Sequence, residues 1–316
     1  MENENATTAR EAGALTDSAA EGFPEALEYV HPGLRIHFWE GVGPVYPRKP
    51  YVGHWHDDFE IVLAEEGPFA ELVNGARVEV EEGGLVVVNG GQIHKVAVDD
   101  STRYRYLMLI VHPAVLGCEP ALRRGAVDPM RRRMGVLPFA TLHKDETGRI
   151  PEIFRAIRDA EAAPGPDAPL VLAGLTFRLW AEAMEKFRAK GIFARNAGDA
   201  EPAAPDSEFA AVRAMASFVH ERYGGPLTLA RIAAAGGVCR SRCCAMFARH
   251  MGQSPISYLN SYRLAVAARM LRESSAPVAD VAYSCGFAHQ SYFAQQFRAA
   301  YGRTPREWRR HARTRD

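Results

Sequence analysis

Four side chains in the first third of the chain have the chemistry of a metal or effector site. In the run His54-Trp55-His56-Asp57-Asp58-Phe59-Glu60, His54, His56 and Glu60 share one parity, so an extended strand would point all three to one side. Further along, GGLVVVNGGQIHKV brings in His94 behind a glycine turn. Three imidazoles and a carboxylate suit a divalent transition metal: Fe, Mn, Ni, Cu or Zn. The same groups can instead hydrogen-bond a small effector in a metal-free pocket, or persist as a structural relic. Trp39, Trp55 and Phe59 are candidates to wall such a pocket, although each also suits an ordinary core.

A second constellation is a repeat. The stretch LARIAAAGGVCRSRCCAMFARHMGQSP returns about fifty residues later as VADVAYSCGFAHQSYFAQQFRAAYGRTP. Ser241 matches Ser291, Phe247 matches Phe297, Gly252 matches Gly302 and Pro255 matches Pro305, while Ile232-Ala233 matches Val281-Ala282 with the register shifted by one. Each copy reads as a short helix, a turn at Gly237 or Gly286, and a second helix capped near Cys239 or His289. A glycine permits the sharp reversal, and a helix-turn-helix unit offers its second helix to the roughly 12 Å wide major groove. Between the copies, residues 256–273 read as a long amphipathic helix with Tyr258, Leu259, Tyr262, Leu264, Ala268 and Leu271 turned inward. Such a spacer fixes the separation of the two reading helices, and docking on one face of a duplex requires about 34 Å.

These groups need elements to hold them. From Tyr29 to Val111 the chain alternates like short strands: LRIHFWE, HWHDDFEIVLA, FAELVNGARVEV, GGLVVVN, KVAV and RYRYLMLIV. Asn74-Gly75 signals a type I′ hairpin, and the whole pattern predicts a sandwich or small barrel. From Pro151 the period becomes helical, in PEIFRAIRDAEAA and then APLVLAGLTFRLWAEAMEKFRAK, which predict an antiparallel pair. The second helix carries Leu172, Leu175, Leu179 and Met184, either to pack on the barrel or to meet another copy. RNAGDAEPAAPDS then reads as a linker.

The net charge is zero, but residues 206–316 hold sixteen arginines, no lysine and seven acids, a balance of +9 that leaves −9 elsewhere. Only the basic part is expected to meet a polyanion. Five cysteines without framework spacing suggest reduced thiols in a cytosol. A metal at Cys239, Cys243 and Cys244 is the weaker reading, because Cys243 falls on an apolar helix position. The N-terminal MENENATTAREAGALTDSAAEG reads as a frayed tail rather than a signal peptide. No apolar stretch approaches the roughly 20 residues of a membrane helix, so no membrane partner is expected.

The pattern GQSPISYLNSYRLAVAARML followed by VADVAYSCGFAHQSYFAQQFRAAYGRTPREWR closely resembles the signature of AraC-type transcription regulators over roughly the last hundred residues. The arrangement H-x-H-x3-E, then G-x5-G-G-x2-H, resembles the two cupin motifs. Together they imply an α+β multidomain chain: an N-terminal cupin-like β-barrel with a helix pair, and a C-terminal all-α tandem helix-turn-helix domain. The boundaries expected are a disordered tail at 1–28, a cupin-like effector-binding domain at 29–148, a helical dimerisation segment at 149–194, a linker at 195–206 and the DNA-binding domain at 207–316.

The resemblance implies seven helices and two recognition helices in successive major grooves. Its base-facing positions fall on Ser241, Arg242, Cys244 and Ala245 in the first helix, and on His289, Gln290, Ser291, Ala294 and Gln295 in the second. Gln290 and Gln295 offer the paired donor and acceptor that suit adenine, whereas Cys244 and Ala245 offer little beyond contact with a thymine methyl. Arg231, Arg240, Arg249, Arg298, Arg303 and Arg306 are candidates for phosphate contact. Cys239 and Cys243 depart from the family's usual Ser and Leu, which weakens the expected rigidity of the first unit.

The function implied is that of a non-enzymatic cytoplasmic regulator. It would bind double-stranded DNA, respond to a small effector in the cupin-like domain, form a homodimer, and activate by touching RNA polymerase. No cofactor is certain; a divalent transition metal at His54, His56, Glu60 and His94 is the candidate. The alternative is a metal-dependent cupin enzyme, a dioxygenase or isomerase, fused to a DNA-binding module. The regulator is preferred because the DNA module is the more specific motif and no nucleophile, base triad or nucleotide loop stands elsewhere.

Overall fold

Asn74 (φ 51°) and Gly75 (φ 84°) adopt the two consecutive positive φ angles that a type I′ hairpin demands, as their sequence predicts. The computed structural model describes residues 33–43, 53–97, 103–163, 165–193 and 207–313. The expected tail at 1–28 and linker at 195–206 lie outside them. The chain divides into two compact units, one containing residues 33–43 and 55–193 and the other residues 207–313.

The first unit holds, among the described residues, eight strands: β1 (Ile36–Gly43), β2 (Phe59–Glu66), β3 (Phe69–Val73), β4 (Ala76–Val80), β5 (Leu85–Val88), β6 (His94–Ala97), β7 (Tyr104–Val111) and β8 (Phe139–Leu142). All pair antiparallel, in a five-stranded sheet of order β1-β7-β2-β5-β8 and a three-stranded sheet of order β4-β3-β6. Two helices follow, α1 (Ile150–Ala162) and α2 (Ala168–Ala189), and they pack against each other.

The larger sheet is buried on both faces. Phe59, Ile61 and Leu63 of β2 share a core with Phe154, Ile157, Leu179 and Trp180 of the helices. Val62 and Ala64, on the other face, pack with Phe69, Val73, Val78 and Val80 of the smaller sheet. Two-sided burial is why β2 reads as a nearly continuous apolar run instead of an alternation. It also makes Glu60, set within that run, conspicuous. Leu172, Leu179 and Met184 go to this core, with Leu175 partly buried against it; helices and strands therefore form one packed body.

Two features differ from the sequence expectation. Strand β8, which pairs Leu142 with Leu85, is only four residues long and carries no usable period. Residues 113–131 form short helical turns at Pro113–Leu116, Pro120–Leu122, Arg123–Val127 and Asp128–Arg131.

The second unit shows seven helices among the described residues: α3 (Ser207–Arg222), α4 (Leu229–Ala235), α5 (Arg240–Met251), α6 (Pro255–Glu273), α7 (Val278–Ser284), α8 (Gln290–Tyr301) and α9 (Pro305–Arg313). The duplication is structural. Gly237 (φ 64°) and Gly286 (φ 79°) make the turns before α5 and α8, and Gly252 (φ 64°) and Gly302 (φ 67°) end those helices in the left-handed conformation. Ser254 caps the next helix in the first copy by accepting from Ser257 N. In the second, Thr304 and Glu307 form a reciprocal capping box. All six spacer residues expected inside α6, from Tyr258 to Leu271, are buried.

Candidate functional site

Glu60 lies on β2 opposite Val88 and Ile110, on the same face as Val62, so its carboxylate enters the space between the sheets. His94 starts β6 opposite Val73 and comes from the facing sheet. His54 and His56 do not share a strand with Glu60, contrary to the parity argument. β2 begins only at Phe59, and a bend at Asp57-Asp58 precedes it. The His56 carbonyl instead accepts from Gly91 N at 2.6 Å, tying this segment to the glycine turn before His94.

The four groups nevertheless converge. One donor atom from each of His54, His56, Glu60 and His94 lies within 4.8 Å of the others. His56 Nε2 is 3.5 Å and His94 Nε2 is 3.2 Å from Glu60 Oε2. His56 Nδ1 donates to the Asp58 carbonyl at 3.2 Å, and His94 Nδ1 to the Gln92 carbonyl at 2.9 Å. A carbonyl only accepts, so both Nδ1 atoms carry hydrogen and both Nε2 atoms face the cluster. Backbone partners of this kind orient ligating histidines.

Burial disfavours a charge on Glu60, yet the charge of His94 and hydrogen bonds from His56 and His94 overcome it and hold the carboxyl well below the usual range. Burial likewise acts against the His94 cation, but Glu60 prevails and lifts that imidazole to about 9. The cluster therefore contains a buried ion pair at neutral pH.

Sequence reasoning missed one neighbour of the cluster. Glu71 of β3 is buried, opposite Val78 and Val96, and lies within electrostatic reach of Glu60. Burial and the neighbouring Glu60 charge raise it to about 8. The available signal was its parity with Phe69 and Val73 in a strand whose register the Asn-Gly turn fixes. Of the proposed wall, Trp39 packs partly buried between the sheets and Trp55 is buried. Phe59 faces the opposite way and stacks on Trp180 at 4.6 Å between ring centres, so it does not line the cluster.

In the helical unit, Ser241, Arg242 and Ala245 are exposed and Cys244 is half-buried on α5. His289, Gln290, Ser291 and Gln295 are exposed and Ala294 is half-buried at the start and along the outer face of α8. Cys243, Phe247, Phe293 and Phe297 take the buried sides. Neither Cys239 nor His289 makes a side-chain capping bond. Tyr292, absent from the sequence expectation, adds an exposed aromatic ring to α8.

The six arginines are all exposed but are not equivalent. Arg231 donates to the Pro226 carbonyl at 2.7 Å and lies over the Phe218 ring, and Arg249 pairs with Glu208 at 3.0 Å. Arg298 and Arg303 line a depression with Arg310, His311 and Glu307.

A family model described as an AraC-like ligand binding domain matches residues 39–160, and one described as a helix-turn-helix domain matches residues 232–311. The chain belongs to the AraC family of transcription regulators. An uncharacterized HTH-type transcriptional regulator of Bacillus subtilis, YdeC, is 27% identical over 81% of this chain and 85% of its own. The HTH-type transcriptional activator RhaS of Escherichia fergusonii is 44% identical over 19% of this AraC-type chain and 22% of its own. A crystal structure of ToxT from Vibrio cholerae is 12% identical, covering 86% of this chain and 97% of that one with a TM-score of 0.43. As an AraC-type regulator the chain joins a DNA-binding helix-turn-helix domain to an effector-binding domain. The family consists of regulators, and the metalloenzyme alternative finds no support among these relatives. Among the described residues no helix is long and apolar enough to cross a membrane.

Proposed function

We propose that this AraC-type chain is a cytoplasmic, homodimeric activator whose effector site includes a divalent transition metal held by His54, His56, Glu60 and His94. The spacing of the donors carries the metal. At the roughly 2.1 Å bond lengths of imidazole and carboxylate ligands, neighbouring donors of one ion stand about 3–3.5 Å apart; the two contacts to Glu60 are 3.2 and 3.5 Å, and the wider separations within the group, up to 4.8 Å, would close on binding. Such an ion would offer an open coordination position to a small oxygen- or nitrogen-bearing effector. Switching requires that the occupied site favour one arrangement of the protein over another.

The remaining parts have separate support. On α2, Leu170 is 75% exposed and Val171 47%, and Gly174 beside them has open space where a Cβ would stand. That apolar, unobstructed strip suits a second copy of the same helix. Activation, through contact with RNA polymerase beside the promoter, accords with the name of the RhaS relative. Five free cysteines fit a reducing cytoplasm.

The test uses tag-free, chelator-stripped protein and an operator selected from random duplexes. The expected result is about one Mn(II), Fe(II), Ni(II) or Zn(II) bound per chain, a changed operator affinity, and loss of both in His56→Ala. A second reading, a metal-free effector pocket, is favoured by the Glu60–His94 ion pair. It takes over if no ion binds and chelators leave regulation unchanged.

A further inference from the structure

Strand β3 carries an acid on the face it turns toward the larger sheet. Glu71 is 1% exposed, lies between Phe69 and Val73 on that face, and feels the charges of Glu60 and His94. Its Oε2 is buried and has no hydrogen-bond partner. An unmet oxygen in a dry interior is costly, and an apolar residue would pack there as its neighbours do. Glu71 stands outside the four donors that converge within 4.8 Å but within electrostatic reach of Glu60 and His94, and a cation drawn into the cluster supplies a reason for an acid there.

Charge points the same way. Three neutral imidazoles and one carboxylate would leave a divalent ion with a net charge of about +1 away from water, which is unfavourable. A second carboxylate brings the buried assembly to neutrality. We propose that Glu71 is a fifth donor of this site, so that the sensor takes a five- or six-coordinate divalent transition ion through three imidazoles and two carboxylates. This rests on the metal reading above and sharpens it. Mixed imidazole and carboxylate shells of higher coordination suit Mn(II), Fe(II), Co(II) or Ni(II) better than a closed four-coordinate zinc site.

Cobalt(II) alone is the probe, titrated into the tag-free full-length protein and followed by visible absorption. The wild type is expected to show the weak bands of five- or six-coordinate cobalt. Glu71→Gln should shift them to the intense bands of four-coordinate cobalt and weaken binding about tenfold or more. X-ray absorption of cobalt-loaded wild type gives the coordination number without any variant, and five or six is expected. A four-coordinate wild type, or a spectrum and affinity unchanged in Glu71→Gln, overturns the role of Glu71 while leaving the metal in place. Wild type that binds no cobalt overturns both.

Discussion

His220 shows how one side chain ties the stability of the DNA-binding unit to pH. Its Nε2 shares a hydrogen bond with the Tyr258 hydroxyl at 2.7 Å, and its ring stacks on Tyr262 at 4.3 Å. Burial pushes its pKa down to about 3. An unfolded chain protonates this imidazole near pH 6.5, whereas the folded one refuses the proton until about pH 3. Stability is therefore full above pH 6.5 and falls as the pH drops toward 3, by at most about 1.4 kcal/mol per pH unit from this residue. His220→Gln, which keeps a hydrogen-bonding partner for Tyr258, is expected to flatten the acid limb of denaturant unfolding measured from pH 7 to 4; an equal slope in both proteins would exclude the effect. At this scale the sequence named His54, His56, Glu60 and His94, which converge, but its one-strand reason was wrong, because a bend at Asp57-Asp58 precedes the strand of Glu60. For Glu71 parity with Phe69 and Val73 was the one signal, and it is weak, because an acid in a hairpin looks like any solvated residue until the opposing sheet is known.

Elements come next, and the two turn glycines make a controlled comparison. Both have positive φ, but a Cβ on Gly237 would meet nothing within 4 Å, whereas on Gly286 it would stand 2.6 Å from the Tyr223 carbonyl and from Arg263 Nη2. That guanidinium is itself bonded to the Tyr223 and Gly225 carbonyls. Gly237→Ala should cost about 1–2 kcal/mol for the left-handed backbone alone. Gly286→Ala should cost on the order of 2–5 kcal/mol, since a steric term is added, and thermal unfolding of the two variants would rank them. The phosphate candidates divide similarly. Arg303→Ala is expected to reduce the slope of log affinity against log salt by about one, measured by anisotropy between about 50 and 200 mM. Arg249→Ala should change it less, because Glu208 already engages that guanidinium. Equal slopes for the two variants would remove the distinction. The repeat, the hairpin and α6 were legible because glycines, a turn pair and a long period mark them. β8 was not, because four residues inside a mixed segment offer no periodicity, and its partner β5 is distant in sequence.

For the whole molecule, the charge division of +9 and −9 accords with a helical unit that meets the polyanion. The exposed Leu170 and Val171 predict that the chain is a dimer at micromolar concentration by light scattering, and that Leu170→Glu with Val171→Glu converts it to monomer without unfolding. A monomeric wild type, or a variant that still dimerises, would remove α2 as the contact. Sequence alone could not separate core from interface on this helix, because both need apolar side chains; only the sheet shows which are already covered. One more consequence lies in β2. Glu60 points into the cluster while Phe59, the adjacent residue, leans on Trp180 of α2. Neighbouring side chains of a strand leave by opposite faces, with about 3.3 Å between them along the chain. The acid of the cluster and the ring against the helix proposed to meet a second subunit thus hang on consecutive residues, the shortest covalent route the fold offers between the two.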